Sequence, residues 1–97
     1  MTFQYEAERI FAVDETGRLI AEVTFPVRNG LANISHTFVD DSLRGQGVAA
    51  LLMEAAVNSI RERKLKAKLT CSYAIKWFEG HPEHYDLLYW SCDQNRC

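Results

Sequence analysis

The stretch Val39-Asp40-Asp41-Ser42-Leu43-Arg44-Gly45-Gln46-Gly47-Val48-Ala49 carries the clearest chemical use in the chain. An alternating apolar run ends there and a helical apolar period begins, with two glycines and an arginine at the junction. The start of a helix leaves backbone N–H groups without partners at the positive end of the helix dipole. Glycines, having no Cβ, let an anion approach those groups closely. The junction therefore suits a phosphate or pyrophosphate, with Arg44 as a further charged donor. Three other side chains carry reactive groups: the Cys71 thiol, the His36 imidazole and the Tyr73 phenol. A thiolate is a nucleophile, an imidazole takes up a proton near neutral pH, and a phenol can give one.

Two familiar phosphate loops do not fit. A Walker loop needs a Lys after its last glycine, and here Val48 follows Gly47. A dinucleotide loop needs a third glycine, and Ala50 stands in its place. A lone Gly-x-Gly is also what any tight loop before a helix requires. A metal site is not expected. His81, His84, Cys92 and Cys97 give His-x2-His-x7-Cys-x4-Cys, which lacks the paired CxxC spacing of zinc sites.

These groups need a frame. A strand is predicted over Arg9 to Val13, joined by earlier residues from Phe3, then a turn at Asp14-Glu15-Thr16-Gly17. Arg18 to Phe25 alternates, with Leu19, Ala21, Val23 and Phe25 on one face. Pro26 closes it, and Asn29-Gly30 is a hairpin turn. Leu31 to Val39 forms the third strand, alternating Ile34, His36 and Phe38 against Ser35, Thr37 and Val39. A long helix over Val48 to Arg63 has an unusually wide apolar arc, so more than one neighbour buries it. Lys66 to Cys71 is a short strand, with Ala67, Leu69 and Cys71 on one face. Strand, helix and strand in this order predict a crossover between parallel strands. Tyr73 to Tyr89 holds one or two short helices, with Pro82 in a first turn. The fold class is α/β: a mixed sheet with antiparallel N-terminal strands, one main helix and shorter ones.

The 97 residues make one domain, in which Ser91 to Cys97 reads as a loose polar tail. A net charge of −2 excludes a general nucleic-acid binder. One basic cluster, Arg61, Arg63, Lys64, Lys66 and Lys68, reads as a helix C-terminus followed by solvated strand positions; its functional alternative is a landing site for a phosphorylated cofactor. The first ten residues carry two glutamates and no apolar core, unlike a secretory leader. The apolar run Val48 to Met53 is too short to span a bilayer. The three cysteines are odd in number, against a disulfide framework. A cytoplasmic monomer with no membrane or nucleic-acid partner is expected.

Arg44-Gly45-Gln46-Gly47-Val48-Ala49 resembles the [QR]-x-x-G-x-[GA] signature of the GNAT acyltransferases, placed as there between a strand and the central helix. His36-Thr37-Phe38-Val39, Leu43 to Gly47, Cys71-Ser72-Tyr73-Ala74 and His81-Pro82-Glu83 together resemble the small stand-alone GNAT domains of the YjdJ type, over nearly the whole chain. His84 departs from that pattern, which often has an aromatic residue there. The resemblance implies a minimal GNAT fold with splayed parallel strands, and acetyl-coenzyme A as cofactor. It implies that Phe38 and Val39 pair with the pantetheine arm, and that Arg44, Gly45, Gln46, Gly47, Val48 and Ala49 hold the pyrophosphate.

Acetyl transfer by such a protein implies an unknown amine acceptor, a base and an acid. No Glu stands cleanly in the base position, Glu22 lying one strand too early, while Tyr73 suits the acid. Cys71, where the thioester arrives, can take the acetyl group by thioester exchange, with His36 on the neighbouring strand as its base and His81 and His84 as further imidazoles. Each residue also has a plainer reading: Cys71 as a small buried hydrophobe, Tyr73 and the aromatics Trp77 to Tyr89 as packing, His36 as a structural residue. The functional alternative to an N-acetyltransferase is a non-catalytic module that binds acetyl-CoA or CoA. A nucleoside triphosphate site on the same loop is a third reading, disfavoured by the missing lysine.

Overall fold

The computed structural model describes residues 2–89, so the tail from Ser91 to Cys97 lies outside the described residues. Two antiparallel hairpins begin the chain. β1 (Gln4–Glu6) and β2 (Arg9–Val13) pair with Glu6 opposite Arg9. The single strand expected from Phe3 onward is thus broken by a tight turn at Ala7-Glu8. β3 (Leu19–Thr24) pairs with β2 and places Ala21 and Val23 beside Ala12 and Ile10, all fully buried. The register shifts at Ala12/Val13 and skips Ile20, which buries that residue out of alternation.

Asn29 and Gly30 have φ of 54° and 77°, the left-handed pair a two-residue hairpin turn requires. They join β4 (Val27–Arg28) to β5 (Leu31–Ile34). The expected third strand is then cut in two at Ser35. β5 pairs in parallel with β7 (Lys66–Leu69), Ile34 opposite Leu69, whereas β6 (His36–Val39) pairs antiparallel with β3. The result is a four-stranded sheet β1-β2-β3-β6 and a three-stranded sheet β4-β5-β7, parted after Ser35. The N–H groups of Ser35 and Asn33 donate to the carbonyls of Thr24 (3.1 Å) and Pro26 (2.9 Å). Ser35 and His36 therefore both stand opposite Thr24, as in a bulge. The bulge resets the alternation: Ile34 points inward, His36 and Phe38 outward, Thr37 and Val39 inward. The expected shared face of Ile34, His36 and Phe38 is corrected accordingly.

α1 (Val48–Glu62) buries Val48, Leu52, Met53, Ala56, Val57 and Ile60. Leu51 stays 52% exposed, so the apolar arc is narrower than its sequence suggests. Lys64 at φ 59° turns the chain into β7. The expected strand stops at Leu69 because Cys71 is the N-cap of α2 (Ser72–Glu79). A 3-10 helix, Pro82–Leu87, follows with Pro82 in its first turn. The core is continuous from Ile10, Val23 and Phe25 through α1 to Trp77, Phe78 and Leu87. Among the described residues the helices cover one face. The opposite face leaves Arg9, Phe11, Glu22, His36, Phe38 and Lys68 at least partly exposed. Among the described residues no helix is long and apolar enough to cross a membrane.

Candidate active site

The β6–α1 loop is built on Asp40. Its N–H donates to the Ile20 carbonyl (2.8 Å), closing β6 against β3. Its carboxylate accepts from the Ser42 hydroxyl (2.6 Å) and amide (3.0 Å), capping a 3-10 helix at Asp41–Leu43, and from Arg18 (2.9 Å). The Ser42 hydroxyl, then Arg18, then the Ser42 amide hold this carboxyl down to about 2. Gly45 and Gly47 follow with φ of 83° and 71°, and nothing lies within 4 Å of where their Cβ atoms would stand. Conformation and an open approach, not crowding, require glycine there.

Gly47 is the N-cap of α1 and offers no side-chain oxygen to the amides behind it. The Leu51 N–H donates to the Gly47 carbonyl (3.2 Å), so the amides of Val48, Ala49 and Ala50 precede the first helical bond. Val48 and Ala49 adjoin a cavity of about 200 Å³ also lined by Val39, Leu43, Arg44, Gly45 and Gly47. Arg44 donates to Asp41 (2.6 Å) in a largely exposed pair. Such a pair is weakly held and easily exchanged for a stronger anion. Gln46 instead ties the loop together, its N–H to the Leu43 carbonyl (3.2 Å) and its side-chain amide to the Ser42 carbonyl (3.5 Å).

The inward edge of β6 leads from this loop to Cys71. Asp40 bonds to β3, so by alternation Phe38 and His36 also spend their backbone groups on β3. Thr37 and Val39 turn theirs to the opening between the sheets. Of the two residues expected to pair with a ligand there, Val39 faces the opening and Phe38 does not. Nothing in the sequence marks Thr37 as a site residue; the bulge at Ser35 sets its direction. At the base of the opening the amides of Thr70 and Cys71 both donate to the Ile34 carbonyl (3.1 Å each). The Cys71 sulfur lies 3.6 Å from the Thr37 hydroxyl. Burial pushes this thiol up. The nearby Thr37 hydroxyl and the amides of Ala74 and Tyr73 at the start of α2 favour the thiolate, outweigh burial and bring the thiol below its ordinary value. Tyr73 sits in the first turn of α2, and burial pushes its phenol up, which keeps it protonated.

His36 is not brought to Cys71. It stands on the outer face, its Nε2 3.9 Å from a Glu22 oxygen, while the next residue, Thr37, faces the thiol. Glu22 is itself held by the Arg9 guanidinium (2.5 Å), which stacks over Phe11 (3.8 Å to the ring centre). His81 and His84 are also placed elsewhere. Both rings stack on Trp77, at 3.8 and 5.6 Å between centres, and His84 thereby fills the position where an aromatic was expected. The other two members of the His/Cys spacing, Cys92 and Cys97, lie outside the described residues. Most of the basic cluster is structural: Arg61 binds Asp86 (2.8 Å), Lys66 the Asp86 carbonyl (2.7 Å) and Arg63 the Ala7 carbonyl (2.6 Å).

A family model described as GCN5-related N-acetyl-transferase matches residues 9–88. Protein NATD1 of Homo sapiens and of Gallus gallus are each 40% identical over 52 residues, 54% of this chain. The match spans about half the length of these curated relatives, 46% and 47%. The solution structure of a GCN5-like protein from Staphylococcus aureus superposes with a TM-score of 0.75 at 32% identity, over 93% of this chain and 89% of that one. The ribosomal-protein-S18-alanine N-acetyltransferase of Escherichia coli shares the fold, with a TM-score of 0.62 at 20% identity over 79% of this chain and 53% of that one. With the match running from β2 through the residues that follow α2, the chain belongs to the GCN5-related N-acetyltransferase family.

Proposed function

We propose that this chain is an N-acetyltransferase that moves an acetyl group from acetyl-CoA to an amine by way of Cys71, working as a monomer in the cytoplasm. One observation carries the reading: an uncapped helix start suited to a pyrophosphate adjoins Val39 at one end of β6, and a thiol of lowered pKa meets Thr37 farther along the same strand. Acetyl-CoA, the acetyl donor of the family, supplies an activated thioester and is consumed as a substrate. The open space beside Gly45 and Gly47 and the uncapped amides of Val48 and Ala49 fit its pyrophosphate, with Arg44 turned from Asp41 to join them. Val39 and Thr37 offer backbone groups to the pantetheine arm.

The Cys71 thiolate attacks the acetyl carbonyl; the carbon–sulfur bond to CoA breaks, and the departing thiolate takes a proton from Tyr73. The acceptor amine then attacks acetyl-Cys71, the carbon–sulfur bond to Cys71 breaks, the amide forms, the thiolate returns, and the proton the amine loses passes through solvent to restore the Tyr73 phenol. His36, on the outer face, suits the proton of the acceptor amine rather than that of Cys71. A binding module without turnover is favoured by one observation, that Glu22 is engaged by Arg9 and offers no free carboxylate base.

The first test is the melting temperature with excess acetyl-CoA. At about 100 times its Kd a ligand adds about 2.7 kcal/mol, and each kcal/mol moves Tm by about 4–8 °C in a domain this size. A rise above about 10 °C is expected on that arithmetic. No rise at millimolar acetyl-CoA overturns the reading. Intact mass after incubation should then show one acetyl group, absent in Cys71→Ala; binding without that adduct supports the module instead.

A further inference from the structure

Not every cation is spent on a carboxylate, and two that are not meet at one cavity. Arg9, Arg18, Arg44 and Arg61 each bind a carboxylate. Arg28 and Lys68 have no acidic partner among the described residues, yet they line one cavity of about 180 Å³ together with Pro26, Leu31 and Asn33. The strand pairing brings them together: Arg28 lies opposite Leu31 in the hairpin, and Asn33 opposite Lys68 across the parallel pair. Two like charges facing one cavity repel, and a bound anion relieves that repulsion. The Thr70 hydroxyl donates to the Asn33 side-chain oxygen (2.9 Å), which fixes that amide and leaves its NH₂ group free to donate. A guanidinium fork, an ammonium and an amide are donors without competing acceptors, the set that recognises a carboxylate or phosphate.

The cavity is on the outer face, opposite α1, and the chain runs from it through β5 and Ser35 into β6. Asn33 is followed within three residues by Ser35 and His36, about 10 Å along the strand at about 3.3 Å per residue. We propose that this cavity is an anion site that holds a carboxylate or phosphate of the acceptor while its amine lies at His36. The acceptor is then an amine with an anionic group roughly 10 Å away. This rests on the acetyl-transfer reading above, and on His36 marking the acceptor's side of the sheet.

The test compares three acceptors of one chain length: aminohexanoate, aminohexyl phosphate and aminohexanol, with CoA release as the readout. One anionic amine should reach half-maximal rate at a concentration about tenfold below that of aminohexanol. Whichever anion leads identifies the group held. Arg28→Gln and Lys68→Gln should raise the anionic amine to the aminohexanol level, with the acetyl-CoA thermal shift retained. Equal use of all three amines overturns the proposal. If none is acetylated, the acetyl-transfer reading is what has failed for these amines, and the site is judged by binding. Inorganic phosphate should then shift the amide resonances of Arg28, Asn33 and Lys68 saturably in the wild type and not in Lys68→Glu. The absence of such shifts overturns the anion site itself.

Discussion

The Thr37 hydroxyl and the Cys71 sulfur meet at 3.6 Å across the point where the two sheets part. The contact joins β6, which carries the candidate cofactor loop at its end, to the N-cap of α2. It also sets the state of the thiol, since burial alone would push Cys71 up. Thr37→Val removes a donor and keeps the burial, so the Cys71 pKa should rise. The measurement is the pH profile of alkylation by iodoacetamide, whose midpoint should move to higher pH in Thr37→Val and return in Thr37→Ser. An unmoved midpoint means that the amides of α2 act alone. In the wild type the lowered thiol pKa contributes stability fully present above the unfolded-chain value and lost as pH falls through the folded one.

Asp40 makes a second pH-dependent prediction. Its folded-state value of about 2 lies below the ordinary 3.8. A depressed carboxyl contributes stability that is present above the unfolded value and lost as pH falls through the folded one. Wild-type Tm should therefore drop between about pH 4 and pH 2, and Asp40→Asn should start lower and fall less steeply over that window. Parallel slopes in the two proteins would show that other carboxylates govern the acid limb.

Much of this frame is legible in the sequence. Alternation locates β2, β3 and the strand after Asn29-Gly30, and the helical period locates α1. These signals are local, as is the glycine junction before Val48. What the sequence hides is register. Nothing in Ile34-Ser35-His36-Thr37 announces that Ser35 is a bulge, because a polar residue followed by a histidine reads as ordinary alternation. One inserted residue reverses every side chain after it, so His36 exchanges its expected place beside Cys71 for one beside Glu22. Thr37 becomes a site residue for the same reason. The cavity of Arg28 and Lys68 is hidden differently: the two are far apart in sequence and meet through a hairpin and a parallel pair.

Gly47 separates conformation from ligand approach. At φ 71° an L-residue is strained by about 1–2 kcal/mol, while Ala stiffens the unfolded chain and offsets about 0.4–1 kcal/mol of it. With open space beside the Cβ position, Gly47→Ala should lose about 1 kcal/mol, or about 4–8 °C in Tm. Asn tolerates this conformation, so Gly47→Asn should recover much of that loss. Both should reduce the thermal shift by acetyl-CoA, because both place atoms where the pyrophosphate approaches. A shift of undiminished size in both variants would move the cofactor away from Gly47.

His84 stacks on the buried Trp77 ring and its Nδ1 lies 3.2 Å from an Arg61 guanidinium nitrogen. Arg61 is also held by Asp86, so the ring stack is the part that depends on residue 84. His84→Ala should cost about 0.5–1.5 kcal/mol, the worth of an aromatic pair, and His84→Tyr should restore most of it. If Tyr is as damaging as Ala, the Arg61 contact rather than stacking is what residue 84 supplies. Denaturant midpoints at unchanged m-value decide between the two.

The bulge at Ser35 is the most direct lever on the site, because it parts the sheets without changing any group that would touch a ligand. Deleting Ser35 leaves one residue opposite Thr24 in place of two. Ile34 still points inward, His36 outward and Thr37 inward, so the buried and exposed faces are kept. What is lost is the local kink that sends β6 to β3 and leaves β7 with β5. The straightened strand should carry β6 toward β7 and close the opening in which Thr37 and Val39 present their backbone. The deletion variant should therefore melt cooperatively while losing the thermal shift with acetyl-CoA and the acetyl adduct on Cys71. Retention of both in a folded variant would show that the opening does not depend on the bulge, and that the cofactor path along Val39 and Thr37 is wrong. A variant that fails to fold leaves Ser35→Gly to decide. It keeps the extra residue, so both activities should survive there, and their loss would tie the site to the Ser35 side chain and its 3.3 Å contact with Thr24 instead.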